Sequence, residues 1–440
     1  MKYTWLAQQL LQQVQYMEKS QIREVCMVEY KIVRDPIHGN IRFEGLFLDL
    51  LETPEIQRLH GIKQLGFAYM VFPGANHTRL EHSLGAYKMA SLAADSLSLP
   101  DEERELIECA SLLHDLGHGP FSHTLECILR GRFGIDHVDI TEKIIMGEEQ
   151  IFEEGEREFV DAPKVADVLD KYDIDKKEIV DLIRGRYRKK EYLSQILNSP
   201  IDVDQLDYLL RDGYYTGVAY GTVDVDRFFQ ILTILNNALA VERKGVSVVE
   251  SIFMARELMY SSVYFHKTVR IAELMLSRAI EFVEDTEPFE FFRYNDGELF
   301  SILREKGEFQ REMITRLKYR RLFKQAYVIG ATEEERKRIE DMENPEKRTK
   351  KEREIESVLD IPEGHVIIDV PRRELFLSEP RIDKVDVLVK DNDRAKRIGD
   401  FTPITNAIKK RQIPDWYLMV VTDDKYKDKI EKNIEAIIFD

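Results

Sequence analysis

The sequence predicts a mainly α-helical protein that carries a small α+β unit at its C-terminal end. From about Leu46 to Asp285 apolar residues recur at helical spacing, as in "DEERELIECASLLHDLG", whose acids at 101–103 suit the positive end of a helix dipole. After residue 360 the runs "HVIIDV", "KVDVLV" and "WYLMVVT" are rich in β-branched and aromatic residues, with helical stretches near 403–411 and 425–436. The composition, 43% hydrophobic and 33% charged in 440 residues, is that of a globular chain with room for a large core.

In chain order, residues 1–27 read as an amphipathic helix with Leu6, Leu10, Leu11, Val14 and Met17 at helical spacing. "VRDPIHGNIRF" (33–43) has turn chemistry, Asp-Pro and His-Gly, between short apolar stretches and predicts a hairpin. A helical body is expected over 28–325, with "FMARELMYSSVYFHKTVRIAELMLSRAIEFVED" (253–285) as one long, mostly buried helix. Residues 326–360 are dense in charge and predict a solvated helix or linker without a site, and 361–440 form the small α+β domain. No internal repeat is present.

With 64 basic and 81 acidic residues the net charge is −17, which argues against broad nucleic-acid binding, so an anionic ligand must be held by a local cluster. The apolar runs are short and broken by charge, and Met1–Val25 lacks signal-peptide order; the expectation is a cytoplasmic protein that does not enter a membrane. Cys26, Cys109 and Cys127 include no CxxC, so neither a disulfide framework nor a thiolate metal site is indicated.

Eight of the ten histidines fall within the first 140 residues, and "SLLHDLGHGPFSH" (111–123) holds three of them. His114 and Asp115 stand at the end of an apolar helix, where both can reach one ion beyond its edge; Gly117 and Gly119-Pro120 then stop the helix and allow close backbone approach. An unpaired Asp115 against an apolar wall would be costly. Further ligands are offered by "NHTRLEHSLG", with His82, and by "IDVDQLDYLLRDG", with Asp202, Asp204, Asp207 and Asp212. Imidazole and carboxylate without sulfur suit Fe, Mn, Zn, Co or Mg.

At these residues the sequence resembles the HD-domain phosphohydrolases, whose H…HD…D signature falls on His82, His114-Asp115 and Asp204. The words "IKQLGFAYMVFPGANHTRLEHSLG", "LLHDLGHGPFSH", "IDVDQLDYLLRDGYYTG" and "YFHK" are similar to those of the deoxynucleoside triphosphate triphosphohydrolases, over about residues 31–285. The resemblance implies an HD-domain helical core and hydrolysis of a dNTP to deoxynucleoside and intact triphosphate. It implies His82, His114, Asp115 and Asp204 as ligands of a divalent metal ion. His118, His123 and His137 would face the α-phosphate, with Glu126 supporting His123. Arg79, Arg256 and Lys267 would contact phosphate, Tyr208, Asp212 and Tyr264 would border the sugar and γ-phosphate, and Gln64 and Leu65 would lie against the deoxyribose. Arg79 and His82, three apart, share a helix face, as a joint phosphate and metal contact requires.

The resemblance also implies a homo-oligomer, in relatives a tetramer, with a nucleotide-activator site between subunits. Lys31 matches a phosphate-contacting lysine of that site, while the guanine-reading acid, glutamine and arginine fall on Glu52, Gln57 and His60, so the acid is longer and the arginine replaced. No SAM domain is expected. Two other readings stay open. One is a different HD phosphohydrolase, a nucleotide phosphomonoesterase or cyclic-nucleotide phosphodiesterase, which would not need Gln64, Arg79, His123, Arg256 and Lys267 together. The other is a non-catalytic nucleotide sensor.

Overall fold

The computed structural model describes residues 29–152, 155–283, 288–330, 339–371, 385–392, 394–410 and 416–439; the helix expected over 1–27 lies outside them. The expected hairpin is β1 (Tyr30–Asp35) paired antiparallel with β2 (Gly39–Glu44). It leads into a helical body, whose principal members begin with α1 (Arg79–Leu97) and α2 (Asp101–Leu113). After them come α3 (Ser122–Phe133), α4 (His137–Met146), α5 (Val203–Thr216), α6 (Val246–Met259) and α7 (Lys267–Glu281). Their apolar faces share one core that includes Leu84, Leu112, Leu116, Leu206 and Phe253.

The start of α1 is set by a capping box. Thr78 Oγ1 accepts from the Glu81 backbone N–H, and Glu81 returns a bond to the Thr78 N–H at 2.7 Å. This fixes Arg79 and His82 on the first turn. Gly85, one turn on, has no side chain because Asp207 and Arg211 of α5 lie against it: a Cβ there would come within 1.9 Å of Asp207 Oδ1. The close α1–α5 approach brings Asp204 opposite His82.

The helix expected over 253–285 is broken. α6 ends at Met259, a π-helical turn covers Tyr260–Tyr264, and α7 starts at Lys267 with His266 as its N-cap. Periodicity cannot register one extra residue in a turn, and such π segments concentrate at functional sites.

Toward the C-terminus, β5 (Lys324–Gly330), β9 (Trp416–Thr422) and β6 (Val366–Asp369) form an antiparallel sheet in the order β5-β9-β6. α8 (Pro345–Val358) and α9 (Lys427–Phe439) join it in a second core containing Ile355, Val366, Leu418 and Ile430. A four-stranded sheet links this region to the body. In it β3 (Leu232–Leu235) and β4 (Ala238–Glu242) are joined by β7 (Leu388–Asp391) and β8 (Arg394–Arg397), with β4 and β7 parallel. The strands of 361–440 are therefore shared between two sheets.

The charge-dense α8 is less solvated than its composition suggests. Glu352 and Glu356 are buried: Glu352 accepts from the Ile368 N–H at 2.8 Å and from Arg278 at 2.7 Å, and Glu356 accepts from the Val366 N–H at 2.9 Å. Two acids thus dock β6 onto the helix, and burial, only partly offset by the Val366 bond, pushes Glu356 up to about 7.

Candidate active site

α2 ends at Leu113, and His114, its C-cap, is followed by the turn that carries Asp115. Gly117 lets this turn press against the start of α4, since a Cβ would meet the His137 carbonyl oxygen at 2.0 Å. His114 and His118 therefore do not share a helix face; both project from a turn packed between α1, α4 and α5.

The proton positions on His82 and His114 decide what the cluster is for. His114 Nδ1 lies 2.8 Å from the Ser111 carbonyl, which can only accept, so Nδ1 carries the hydrogen and Nε2 a lone pair. His82 Nδ1 lies 2.8 Å from Asp207 Oδ2. Burial opposes the ionisation of Asp207, but Arg211 outweighs it, so the carboxyl is held well below its usual range and accepts from His82. His82 Nε2 then aims its lone pair at Asp204 Oδ1, 3.1 Å away. His114 Nε2, buried with no hydrogen-bond partner, stands 3.2 Å from Asp115 Oδ1 and 3.8 Å from Asp204 Oδ1. Asp115 Oδ2 is 3.8 Å from His82 Nε2.

Two imidazole lone pairs facing two carboxylates repel unless a cation stands among them. The ligand atoms of His82, His114 and Asp204 lie within 4.8 Å of one another, and Asp115 adjoins them, so the residues fit a divalent ion with nitrogen and oxygen ligands. Without an ion the same acids attract protons. Burial opposes it, yet the hydrogen bonds to Asp204 and Asp207 outweigh burial and raise His82 to about 10, and Asp115 and Asp204 likewise raise His114. The four aspartates of "IDVDQLDYLLRDG" play four different roles. Asp202 caps α5, Asp204 faces the ion site, Asp207 orients His82, and Asp212 accepts from Tyr264.

Asp115, His118 and His137 form a second group whose ligand atoms lie within 4.8 Å of one another, as a metal would need, but the stacking of its two rings does not suit one. The His118 and His137 rings stack at 3.9 Å with 15° between planes, so an ion shared by both would sit out of the plane of each lone pair. The arrangement suits proton transfer. Burial, Arg79 and His137 push His118 down to about 3, so it is neutral. Burial opposes protonation of His137 as well, but Glu126, whose Oε1 lies 2.8 Å from Nδ1, raises it. The acid expected to support His123 pairs instead with His137; His123 is the second residue of α3, and its side chain lies outside the described atoms. Arg79 donates to Asp115 Oδ2 at 2.5 Å and to Ser122 Oγ at 2.7 Å.

These groups line a cavity of about 310 Å³. Gln64 and Leu65 form part of its wall, and Gln64 Oε1 is a buried acceptor without a hydrogen-bond partner. Tyr208, Tyr260, Tyr264 and Asp212 form another part. Tyr264 donates to Asp212 Oδ2 at 2.7 Å, and the other oxygen of Asp212 is 2.7 Å from His77 Nε2.

Two expected phosphate contacts are not brought there. Arg256 is buried, 1% exposed, and donates to the Pro200 carbonyl at 3.1 Å and Gln205 Oε1 at 3.3 Å. Lys267 is exposed and donates to Gln325 Oε1 at 3.1 Å. The π turn at Tyr260–Tyr264 separates their two helices. Instead Arg130 and Arg270 line the cavity, residues that carried no signal in the sequence because neither lies in a distinctive motif. Asp207 and Arg211, at i and i+4, could have been read as a buried pair. Away from the cavity, Lys31 pairs with Glu52 on the surface, Gln57 donates to the Leu51 carbonyl at 2.6 Å, and His60 is exposed. Among the described residues no helix is long and apolar enough to cross a membrane.

Comparison with known proteins places this geometry. Residues 79–212 match the HD domain family and residues 223–439 the HD associated region. The uncharacterized protein MJ1154 of Methanocaldococcus jannaschii is 30% identical over 421 residues, covering 92% of this chain and 82% of that protein. The uncharacterized protein YwfO of Bacillus subtilis is 35% identical over 286 residues, 62% of each chain. The deoxynucleoside triphosphate triphosphohydrolase SAMHD1 homolog of Dictyostelium discoideum is 31% identical over 321 residues, 67% of this chain and 59% of that one. The chain thus spans less than two thirds of the length of the last two. The solved structure of a phosphohydrolase from Bacteroides thetaiotaomicron is similar with a TM-score of 0.67 and 25% identity, covering 89% of this chain and all of that one.

Proposed function

Because this chain belongs to the HD-domain phosphohydrolase family, we propose that it hydrolyses deoxynucleoside triphosphates to deoxynucleoside and inorganic triphosphate. The observation that carries the reading is the grouping, in one cavity beside Arg79, of His82, His114, Asp115 and Asp204 with neutral His118 and with His137, whose hold on its proton Glu126 strengthens. A bound divalent ion supplies a water of lowered pKa, from about 15.7 to near 7 in favourable sites, and stabilises charge on phosphate. His82, His114, Asp115 and Asp204 would hold it. His137, whose proton affinity Glu126 raises, would donate to the departing oxygen, and neutral His118 would accept or relay a proton. Arg79 neutralises charge at the reacting phosphate, and Tyr208, Tyr264 and Gln64 enclose the sugar. Activation by a nucleotide near Lys31, assembly into a homo-oligomer and a cytoplasmic location belong to the same proposal.

One observation favours a second reading: with Arg256 and Lys267 outside the cavity, a smaller phosphate load, as in a phosphomonoesterase or cyclic-nucleotide phosphodiesterase, is also served. The test is to incubate the protein with Mn²⁺ and the four dNTPs, singly and mixed, and separate products by ion exchange. Deoxynucleoside with intact triphosphate is expected; activity only in mixtures supports an activator. Monophosphate with pyrophosphate would sink the proposal.

A further inference from the structure

A triphosphate needs more positive charge than Arg79 provides, and the cavity's other arginines are Arg130 on α3 and Arg270 on α7. Arg130 is held by Asp136 at 2.8 Å. Arg270 is fixed from farther away. It is 9% exposed, its Nε and Nη2 donate to Asp369 Oδ1 at 3.2 and 2.8 Å, and Nη1 stands 3.5 Å from Glu273 Oε2. The second oxygen of Asp369 accepts from Trp416 Nε1 at 3.2 Å. Asp369 ends β6 and Trp416 begins β9, so the C-terminal sheet reaches through two side chains to a residue of the cavity wall.

We propose that Arg270, aided by Arg130, binds the distal phosphates of the substrate, and that Asp369 and Trp416 are positioning residues, so that the C-terminal sheet completes the site. A guanidinium carries five N–H donors in a rigid fork; Asp369 anchors Nε and Nη2, so a phosphate would meet Arg270 at Nη1, in competition with Glu273, which stands 3.5 Å from it. Anchoring removes the rotamer freedom that a free arginine would lose on binding. The proposal rests on the triphosphate reading above.

The chain has two tryptophans, Trp5 and Trp416, so Trp5→Phe leaves Trp416 as the only indole. The full-length Trp5→Phe protein, with Mn²⁺, is titrated with inorganic tripolyphosphate, and with orthophosphate in parallel, while Trp416 emission and binding heat are followed. A saturable change is expected with tripolyphosphate, at least about tenfold weaker with orthophosphate. Adding Arg270→Gln with Asp369→Asn removes both buried charges together and weakens tripolyphosphate by about 10- to 100-fold. Arg270→Lys, which keeps the charge and serves if the double variant does not fold, weakens it less and raises KM for dNTP more than it lowers kcat. No tripolyphosphate binding, or wild-type affinity in the folded variants, overturns the proposal. Arg270-dependent tripolyphosphate binding with no triphosphate released from any dNTP leaves the anion site standing and removes the reaction. Triphosphate release with affinity and KM unchanged in the variants removes the site alone.

Discussion

His82 and His114 meet edge to face, with ring centroids 5.3 Å apart and planes at 73°, whereas His118 and His137, in the same cavity, stack at 3.9 Å and 15°. The first pair converges its nitrogens on Asp204 and Asp115; the second lays its rings flat against each other beside Glu126. Residue type is shared and only His137 is partly exposed, at 24% of its side chain, so most of the difference comes from what grips each Nδ1 or flanks each ring. Where a carbonyl and an ionised Asp207 hold the Nδ1 hydrogens, the remaining lone pairs demand a cation. Where Glu126 strengthens one ring's hold on its proton, and burial with the Arg79 charge weakens the other's, the pair splits into a proton donor and a neutral neighbour. One cavity thus holds two differently built histidine pairs that meet at Asp115, whose Oδ1 lies 3.2 Å from His114 Nε2 and 3.4 Å from His118 Nε2.

The comparison breaks most completely at the ion. Asp204→Ala or His82→Ala removes a ligand and leaves uncompensated charge, and should abolish bound metal and lower kcat/KM on the order of 10³-fold or more, because the ion supplies several kcal/mol. Helical circular dichroism should stay near wild type, since Asp204 is a partly exposed residue of the first turn of α5. Elemental analysis decides it, and stoichiometric metal in Asp204→Ala would refute the ligand set.

At the proton site the effect is smaller and has a sign. Glu126→Gln keeps the shape but removes the charge that raises His137, so His137 loses its proton at lower pH. A general acid works only while protonated, so the basic limb of the kcat profile should move toward lower pH, with kcat at neutral pH down about 10- to 100-fold. Metal content should not change. An unmoved limb would place the acid elsewhere.

The ion site was legible in the sequence to a degree that the phosphate contacts were not. His82, His114, Asp115 and Asp204 sit in short, dense words on stretches whose local structure is dictated by caps and glycines: the Thr78 capping box, the Asp202 N-cap, and Gly117 against α4. Local chemistry fixes where such side chains go. Arg256 and Lys267 lie eleven residues apart across a helix that periodicity reads as continuous, and the π turn at Tyr260–Tyr264 breaks that continuity between them. Arg270 is held at the cavity wall by Asp369, ninety-nine positions on, a contact that no local pattern announces. The buried Glu352 and Glu356 were hidden for a similar reason: a run of charges reads as solvated until strand β6 is docked against it.

A finer break lies one layer out from the ion. His38, in the hairpin turn, stands 2.6 Å from Asp207 Oδ1, and Arg211 joins Asp207 to Asp35 of β1 at 2.7 Å. The hairpin thereby helps to orient His82. Groups that hold a metal ligand in place commonly matter by about 10- to 100-fold in metal affinity, and His38 is one bond farther still. His38→Gln should therefore weaken Co²⁺ or Mn²⁺ binding by about tenfold or less, measured by chelator competition, with little change in KM. Unchanged affinity would mean that Arg211 alone sets Asp207.

The smallest effect on substrate is expected at Arg256, where the sequence resemblance implies a large one. A direct phosphate contact is worth about 1.5 to 3 kcal/mol, or roughly 10- to 100-fold in kcat/KM. The guanidinium is instead 1% exposed, bonded to Pro200 and Gln205, and set over the Phe253 ring at 5.1 Å. Those contacts brace the start of α5, so removing them acts on stability before it acts on substrate. Arg256→Met, which keeps much of the volume, should lower the melting temperature while KM for dNTP stays within about threefold, because no charge leaves the cavity. A tenfold rise in KM with an unchanged melting temperature would return Arg256 to the phosphates. It would also weaken the case that Arg270 took its place.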